Sequence, residues 1–242
     1  MKSESNKKTS IARLSVASNS LLIAMKFTIG IISGSVSIIS EAIHSSMDLV
    51  AALIAFFAVR VSDTPPDSRH PYGHGKVENI SGVIEGLLIL VAAFVIIMEA
   101  VKKLLGSHTL PESVWIGAVV MLISGIVNIY VSRRLYKVAR ETGSLALEAD
   151  ALHLKTDVYT SLGVAAGLGL IYFTGIVWLD PVIAILVALF ILKESYNLIS
   201  RAFSPLLDTS WPESEIRDLE KRLSEMNVNF HDLRTRVAGN YK

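Results

Sequence analysis

Glu41-Ala-Ile-His44-Ser-Ser-Met-Asp48 returns in pattern as Asp150-Ala-Leu-His153-Leu-Lys-Thr-Asp157, and each copy is embedded in or beside a long apolar run. An acid, a histidine three residues on and an aspartate four beyond that share one stripe of a helix, since positions i, i+3 and i+7 stack on the same face. Each charged group placed in hydrocarbon costs about 2.5–3.5 kcal/mol on insertion scales. A chain that places several there uses them. Two such stripes can bring two imidazole nitrogens and two carboxylate oxygens around one ion.

The apolar runs decide the class. The 242 residues are 51% hydrophobic and only 19% charged, with a mean hydropathy of +0.49. Six segments reach the roughly 20 residues that a membrane-spanning helix needs: Ala12–Ile32, Val36–Val61, Val77–Leu105, Val114–Val138, Gly143–Phe173 and Val177–Ile199. Ser33-Gly-Ser and Gly175 mark turns between neighbours, and the Pro- and Gly-rich stretch from Asp63 to Gly75 marks a loop. The polar start, Met1–Ser10, leads into no short apolar core with a small-residue cleavage site, so the first span is read as retained.

Lysine and arginine set the orientation. Lys2, Lys7, Lys8 and Arg13 precede or open the first span; Arg60, Arg69 and Lys76 flank the second loop; Arg133, Arg134, Lys137 and Arg140 flank the fourth. The first and fifth loops carry neither residue. The expectation is an all-α polytopic membrane protein with six spans, multi-pass in a lipid bilayer (the inner membrane in a bacterium), with both termini cytoplasmic. Residues 1–11 form a cytoplasmic segment, 12–204 the transmembrane domain, and 205–242 a linker and an incomplete cytoplasmic domain. Polar positions concentrate on the first, second and fifth helices, which are expected to face a water-filled path; the third, fourth and sixth are more uniformly apolar.

After Ser204 the pattern changes. Thr209 or Ser210 is expected to cap a helix beginning near Pro212, with Ile216, Leu219 and Leu223 as its apolar stripe. Val228-Asn-Phe-His-Asp-Leu-Arg-Thr-Arg-Val then reads as a strand. One helix and one strand bury no core of their own. The tail is expected to be the start of a soluble domain that stops early.

The absence of cysteine excludes disulfides, thiolate metal sites and thiol nucleophiles. A formal net charge of +1 and the lack of a basic-aromatic patch give no sign of nucleic-acid binding. His44, Asp48, His153 and Asp157 would offer a tetrahedral N₂O₂ set suited to Zn²⁺, whose bonds to such atoms are about 2.0–2.2 Å. Mn²⁺ and Fe²⁺ remain compatible. Two aspartates offset one divalent charge. Metal needs neutral imidazole and ionised carboxylate, so metal and protons compete, and imidazole titrates near physiological pH. A site open alternately to each side would exchange one for the other.

Taken together, Ser35-Val-Ser-Ile-Ile-Ser-Glu-Ala-Ile-His44-x-x-x-Asp48, Asp67-Ser-Arg-His-Pro-Tyr-Gly-His74-Gly-Lys-Val-Glu78, His153-x-x-x-Asp157 and His231-Asp-Leu-Arg-Thr-Arg236 resemble the cation diffusion facilitator family of divalent-metal transporters. The resemblance implies a homodimer that exports zinc or a similar ion in exchange for protons, with the two helix-borne motifs forming the transport site. His44 at the leading position resembles the zinc-preferring members. Glu41 and Asp150 are implied only as supporting partners of the ligands. It further implies a second ion held in the 63–75 loop by Asp67 and His74, with His70 as a third candidate. Lys76 and Asp208 match a salt bridge at the base of the cytoplasmic domain, and His231 matches a ligand of a cytoplasmic site. That domain has a ferredoxin-like αββαβ pattern, of which only the first helix and strand are matched. His108, in an outer loop, is read as a solvated residue.

Two other readings compete. An intramembrane metalloenzyme would call for His-Glu-x-x-His, a string absent from the sequence. A transport-inactive subunit supporting a homologous transporter would not need all four ligands intact.

Overall fold

The computed structural model describes residues 2–33, 36–106, 114–174 and 178–238, leaving aside some side chains within its helices, Glu41 among them. The turn residues Gly34, Ser35 and Gly175 and the loop residue His108 lie outside the described residues. Six long helices follow one another: α1 (Lys2–Ser33), α2 (Val36–Ser62), α3 (Lys76–Leu104), α4 (Val114–Thr142), α5 (Leu145–Thr174) and α6 (Leu179–Phe203). A 3₁₀ turn at Ser204–Leu207 and a short helix, α7 (Glu213–Glu225), complete the chain's regular structure among the described residues.

Among the described residues five of these helices, α1–α4 and α6, are long and apolar enough to cross a membrane. Helix α5 has 30 residues, but Glu148, Asp150, Lys155 and Asp157 crowd its first half. The other helices shelter that half. It packs against α4, α6, α3 and α2, and Ala149, Asp150, Ala151 and Leu154 are fully buried.

Small residues let the helices approach closely, as is usual where lipid supplies no hydrophobic drive between them. Ala12, Ala55, Val131, Leu135, Leu147 and Leu154 form one core joining α1, α2, α4 and α5. Ile89, Ala93, Ala149, Leu152, Ile191 and Leu198 form a second, joining α3, α5 and α6. The α3–α6 contact depends on Gly86, where a Cβ would stand 2.5 Å from Ile199 Cγ1. Gly86→Ala should therefore destabilise the bundle by about 1–3 kcal/mol, the usual cost of overpacking, measurable as a lower melting temperature in detergent. An unchanged melting temperature would mean that Ile199 moves aside at no cost.

The structure departs from expectation at both ends. Helix α1 begins ten residues before the expected start at Ala12, so the polar N-terminal segment is helical. It is held there by ion pairs from Lys7 to Glu141 and from Lys8 to Glu78. Helix α7 begins after Pro212 with no side-chain cap. Thr209 instead donates its hydroxyl to the Ser204 carbonyl, and Ser210 donates to Trp211 O. Glu213 and Glu215 in the first turn complement the exposed N–H groups in place of a cap. The expected strand at 228–237 is not one. Among the described residues there is no strand, only a single bridge residue at Ala238, because a strand needs a neighbouring strand to complete its ladder. The segment is anchored instead by Trp211, whose indole N–H donates to Arg236 O at 3.0 Å.

Candidate metal centre

His44 and Asp48 stand one turn apart on α2, and His153 and Asp157 one turn apart on α5. The α2–α5 contact turns the two pairs toward each other. One donor atom each from His44, Asp48 and Asp157 lies within 4.8 Å of the others. The fourth residue is already engaged: His153 Nε2 lies 3.0 Å from Asp48 Oδ1. With Asp48 as a carboxylate the bond runs from the imidazole N–H to Oδ1. His153 Nδ1 is buried without a partner.

The two halves of the site differ in access. Asp48 is buried, whereas His44 is exposed. They border a cavity of about 120 Å³, lined also by Lys26 of α1, Ser124 and Asn128 of α4, and Thr160 and Ser161 of α5. Lys26 donates to Ser45 at 2.6 Å. The contribution of α4 corrects the expected division into polar and apolar helices. Ser124 and Asn128 repeat the i, i+4 spacing of the His–Asp pairs within an apolar run, and that was the signal available in the sequence.

At one end of the bundle charged groups are packed together. Lys8 Nζ lies 2.9 Å from Glu78 Oε1 and 2.6 Å from Asp63 Oδ1. Ser62 donates to the same Glu78 oxygen at 2.8 Å, and Ser144 donates to Oε2. Lys8 and Glu78 are each 1% exposed. This cluster ties together the start of α1, the end of α2, the start of α3 and the start of α5. At 1.5 Å per residue, Asp48 and Asp157 lie about 20 Å along their helices from it. The cavity runs the other way: Lys26, His44, Met121, Ser124, Thr160 and Ser161 all lie beyond Asp48, Asn128 and Asp157 as counted from the charged end. The cavity therefore lies on the side of Asp48 and Asp157 away from the charged cluster.

Asp150 is fully buried behind His153, among Glu85 of α3 and Ser15 of α1. Glu85 takes a hydrogen bond from Ser81 at 2.9 Å. Glu85 interrupts an apolar run of α3, and nothing local to that helix indicates that an acid on α5 faces it. The side chain of Glu41 lies outside the described residues.

In the loop, donor atoms of Asp67, His70 and His74 also lie within 4.8 Å of one another. The backbone N–H groups of His70 and Arg69 donate to Asp67 Oδ1 at 2.6 and 2.8 Å. These bonds, the His70 N–H first, hold the Asp67 carboxyl below its ordinary pKa and keep it ionised. His70 Nδ1 is 3.2 Å from Oδ1 and His74 Nε2 is 3.6 Å from Oδ2. Gly73, at φ +78°, permits the turn that folds His74 back. All three expected residues therefore meet, His70 included.

Lys76 Nζ reaches Asp208 Oδ1 at 2.8 Å and fastens α3 to the end of the 3₁₀ turn. That bond lowers the Asp208 pKa, with Arg236 adding to it at 3.7 Å. His231 is exposed in the irregular tail. It belongs to neither three-residue group found among the described residues.

Residues 12–207 match the cation efflux transmembrane domain family. An uncharacterized transporter of Synechocystis is 36% identical over 231 residues, covering 94% of this chain and 74% of the relative. The cation-efflux pump FieF of Shewanella oneidensis is 31% identical, covering 94% and 77%. An uncharacterized transporter of Methanocaldococcus jannaschii is 30% identical, covering 93% and 80%. With five apolar helices of spanning length and a family match across most of the chain, the metalloenzyme reading falls, and the chain belongs to the cation diffusion facilitator (cation efflux) family of multi-pass membrane transporters.

Proposed function

We propose that this protein exports zinc from the cytoplasm in exchange for protons, by alternating access, with His44, Asp48, His153 and Asp157 as the transport site. The observation that carries this reading is the convergence of His44, Asp48 and Asp157 on one cavity, with His153 hydrogen-bonded to Asp48. Zinc accepts such a mixed nitrogen and oxygen set. Zn²⁺ cannot bond His153 Nε2 while that atom carries its proton, nor bind strongly to a protonated carboxylate. Loading the cargo therefore releases protons, and reprotonation releases the cargo.

Six spans, both termini in the cytoplasm and a homodimer complete the proposal. Helix α5 is the sixth span, its charged half shielded by α2, α3, α4 and α6. The charged cluster then marks the cytoplasmic end, in keeping with the lysines and arginines of that side. Asp67, His70 and His74 form a second zinc site at the cytoplasmic surface, where an ionised carboxylate and two imidazoles suit the same ion. His231, exposed in the tail, takes no part in either of these two sites.

Proteoliposomes carrying the protein should move Zn²⁺ against an imposed pH gradient and move protons the opposite way. Zinc flux insensitive to the gradient would refute antiport, and absence of flux would favour the transport-inactive subunit. His44→Asp replaces one nitrogen by oxygen and should shift selectivity from Zn²⁺ toward Mn²⁺ and Fe²⁺. Unchanged selectivity among Zn²⁺, Cd²⁺, Mn²⁺ and Fe²⁺ would favour a broader transporter over a zinc-selective one.

A further inference from the structure

A second, larger cavity lies on the far side of α5 from the transport site. We infer that this cleft between α4, α5 and α6 binds the headgroup and upper chains of one anionic phospholipid. The inference rests on the chain's membrane location and not on the zinc/proton reading.

The cleft measures about 840 Å³ and is lined by α4, α5 and α6. Arg133, Lys137 and Arg140 of α4, Lys155 of α5 and Arg201 of α6 line it. Three carboxylates share it, Glu141, Glu148 and Glu194. Two of them are engaged: Glu148 holds Arg201 at 2.8 Å, and Glu141 pairs with Lys7. Among the described residues Arg133, Lys137, Arg140 and Lys155 have no ion pair. Lys155 is placed by aromatic rings, 5.5 Å from the centre of Tyr136 and 5.2 Å from that of Tyr159. Glu194, the third carboxylate, has no ion pair among the described residues, so four unpaired cations against one unpaired acid leave an excess of positive charge in a concave, partly apolar site.

The order of residues along the cleft matches a lipid better than a free anion. Arg140, Arg201 and Glu148 lie at the charged end of the bundle. Lys137, Arg133 and Lys155 follow, and Ile129, Val158 and Leu162 line the deepest part. From the start of α5 to Leu162 is about 25 Å at helical rise. One leaflet with its headgroups is about 20–22 Å thick. Cations at the membrane surface grading into an apolar wall give a phosphate and an acyl chain each its own environment. Basic pockets between membrane helices are known to take such headgroups. A free phosphate would leave the apolar end unfilled.

The test is native mass spectrometry of the full chain in non-ionic detergent, titrated with phosphatidylglycerol or with phosphatidylcholine of identical acyl chains. One phosphatidylglycerol per chain should bind in preference to phosphatidylcholine. Each cation near an anionic headgroup contributes roughly fivefold in affinity, so Lys155→Gln should weaken phosphatidylglycerol about fivefold. Arg133→Gln with Lys137→Gln should abolish the preference. If the double variant does not fold, Lys155→Gln and a separate Arg133→Gln decide the matter. Equal binding of the two lipids, or a preference unchanged in the variants, overturns the inference. Competition by millimolar inorganic phosphate without lipid-chain dependence would make this a phosphate site and overturn it as well. Zinc flux is not the readout, so failure here leaves the transport proposal untouched, and the converse holds.

Discussion

Asp48→Asn should leave the protein folded and nearly abolish zinc transport. The substitution keeps the volume of the side chain and leaves an amide oxygen to accept the hydrogen bond that His153 Nε2 donates at 3.0 Å. The packing of this buried position is therefore preserved. What is lost is the charge. An amide is a weak zinc ligand, and without Asp48 only Asp157 offsets the divalent charge among the four proposed ligands. Disturbing groups that merely support metal ligands already costs about 10–100-fold, so removing a ligand should lower zinc flux by at least about 100-fold. Flux into proteoliposomes and zinc binding by calorimetry should fall together, with the melting temperature in detergent little changed. Transport near the wild-type rate would remove Asp48 from the ligand set.

Lys8→Ala should be the most destabilising single change at the charged end. Lys8 is buried against both Glu78 and Asp63, and its removal leaves two carboxylates facing each other out of water. Breaking a buried pair from one side costs about 3–5 kcal/mol. At about 2–4 °C per kcal/mol, the melting temperature should fall by of the order of 10 °C. The double variant Lys8→Met with Glu78→Gln should recover much of that loss, since it strands fewer charges. If the double variant is as unstable as the single one, the charges were not the cause. The location gives a second readout. The cluster holds α1, α2, α3 and α5 together at the end of the bundle away from the transport cavity. Weakening it should favour the form open at the charged end. The chain has no cysteine, so Ser161→Cys, on the cavity wall, can report this with a membrane-impermeant thiol reagent. Labelling from the outer side should decrease in the Lys8 variant. An increase would mean that the cluster does not act as a latch.

The helices were legible because their signal is local. Apolar runs of sufficient length located α2, α3, α4 and α6 to within a few residues, and the i, i+4 His–Asp spacing identified the stripes on α2 and α5. The start of α1 was misplaced because its polar first turns are stabilised by Glu78 and Glu141, residues far along the chain. The tail was misread for a related reason: a β-prone segment becomes a strand only where another strand is present to pair with it. The residue types of the loop motif were legible in the sequence, but the meeting of His74 with Asp67 and His70 depends on the turn at Gly73.

By itself the sequence determined the class of protein, the run of long helices and the residue types able to hold a metal, since hydropathy and helical period are properties of neighbouring residues. Tertiary structure alone decided which buried charges meet. It set His153 on Asp48 rather than free, placed Ser124 and Asn128 on the cavity wall, joined Lys8 to Glu78, and left four cations of the lateral cleft without ion pairs among the described residues. A charge removed from water is stabilised by whatever group lies opposite it, and in a helical bundle that group comes from a different helix.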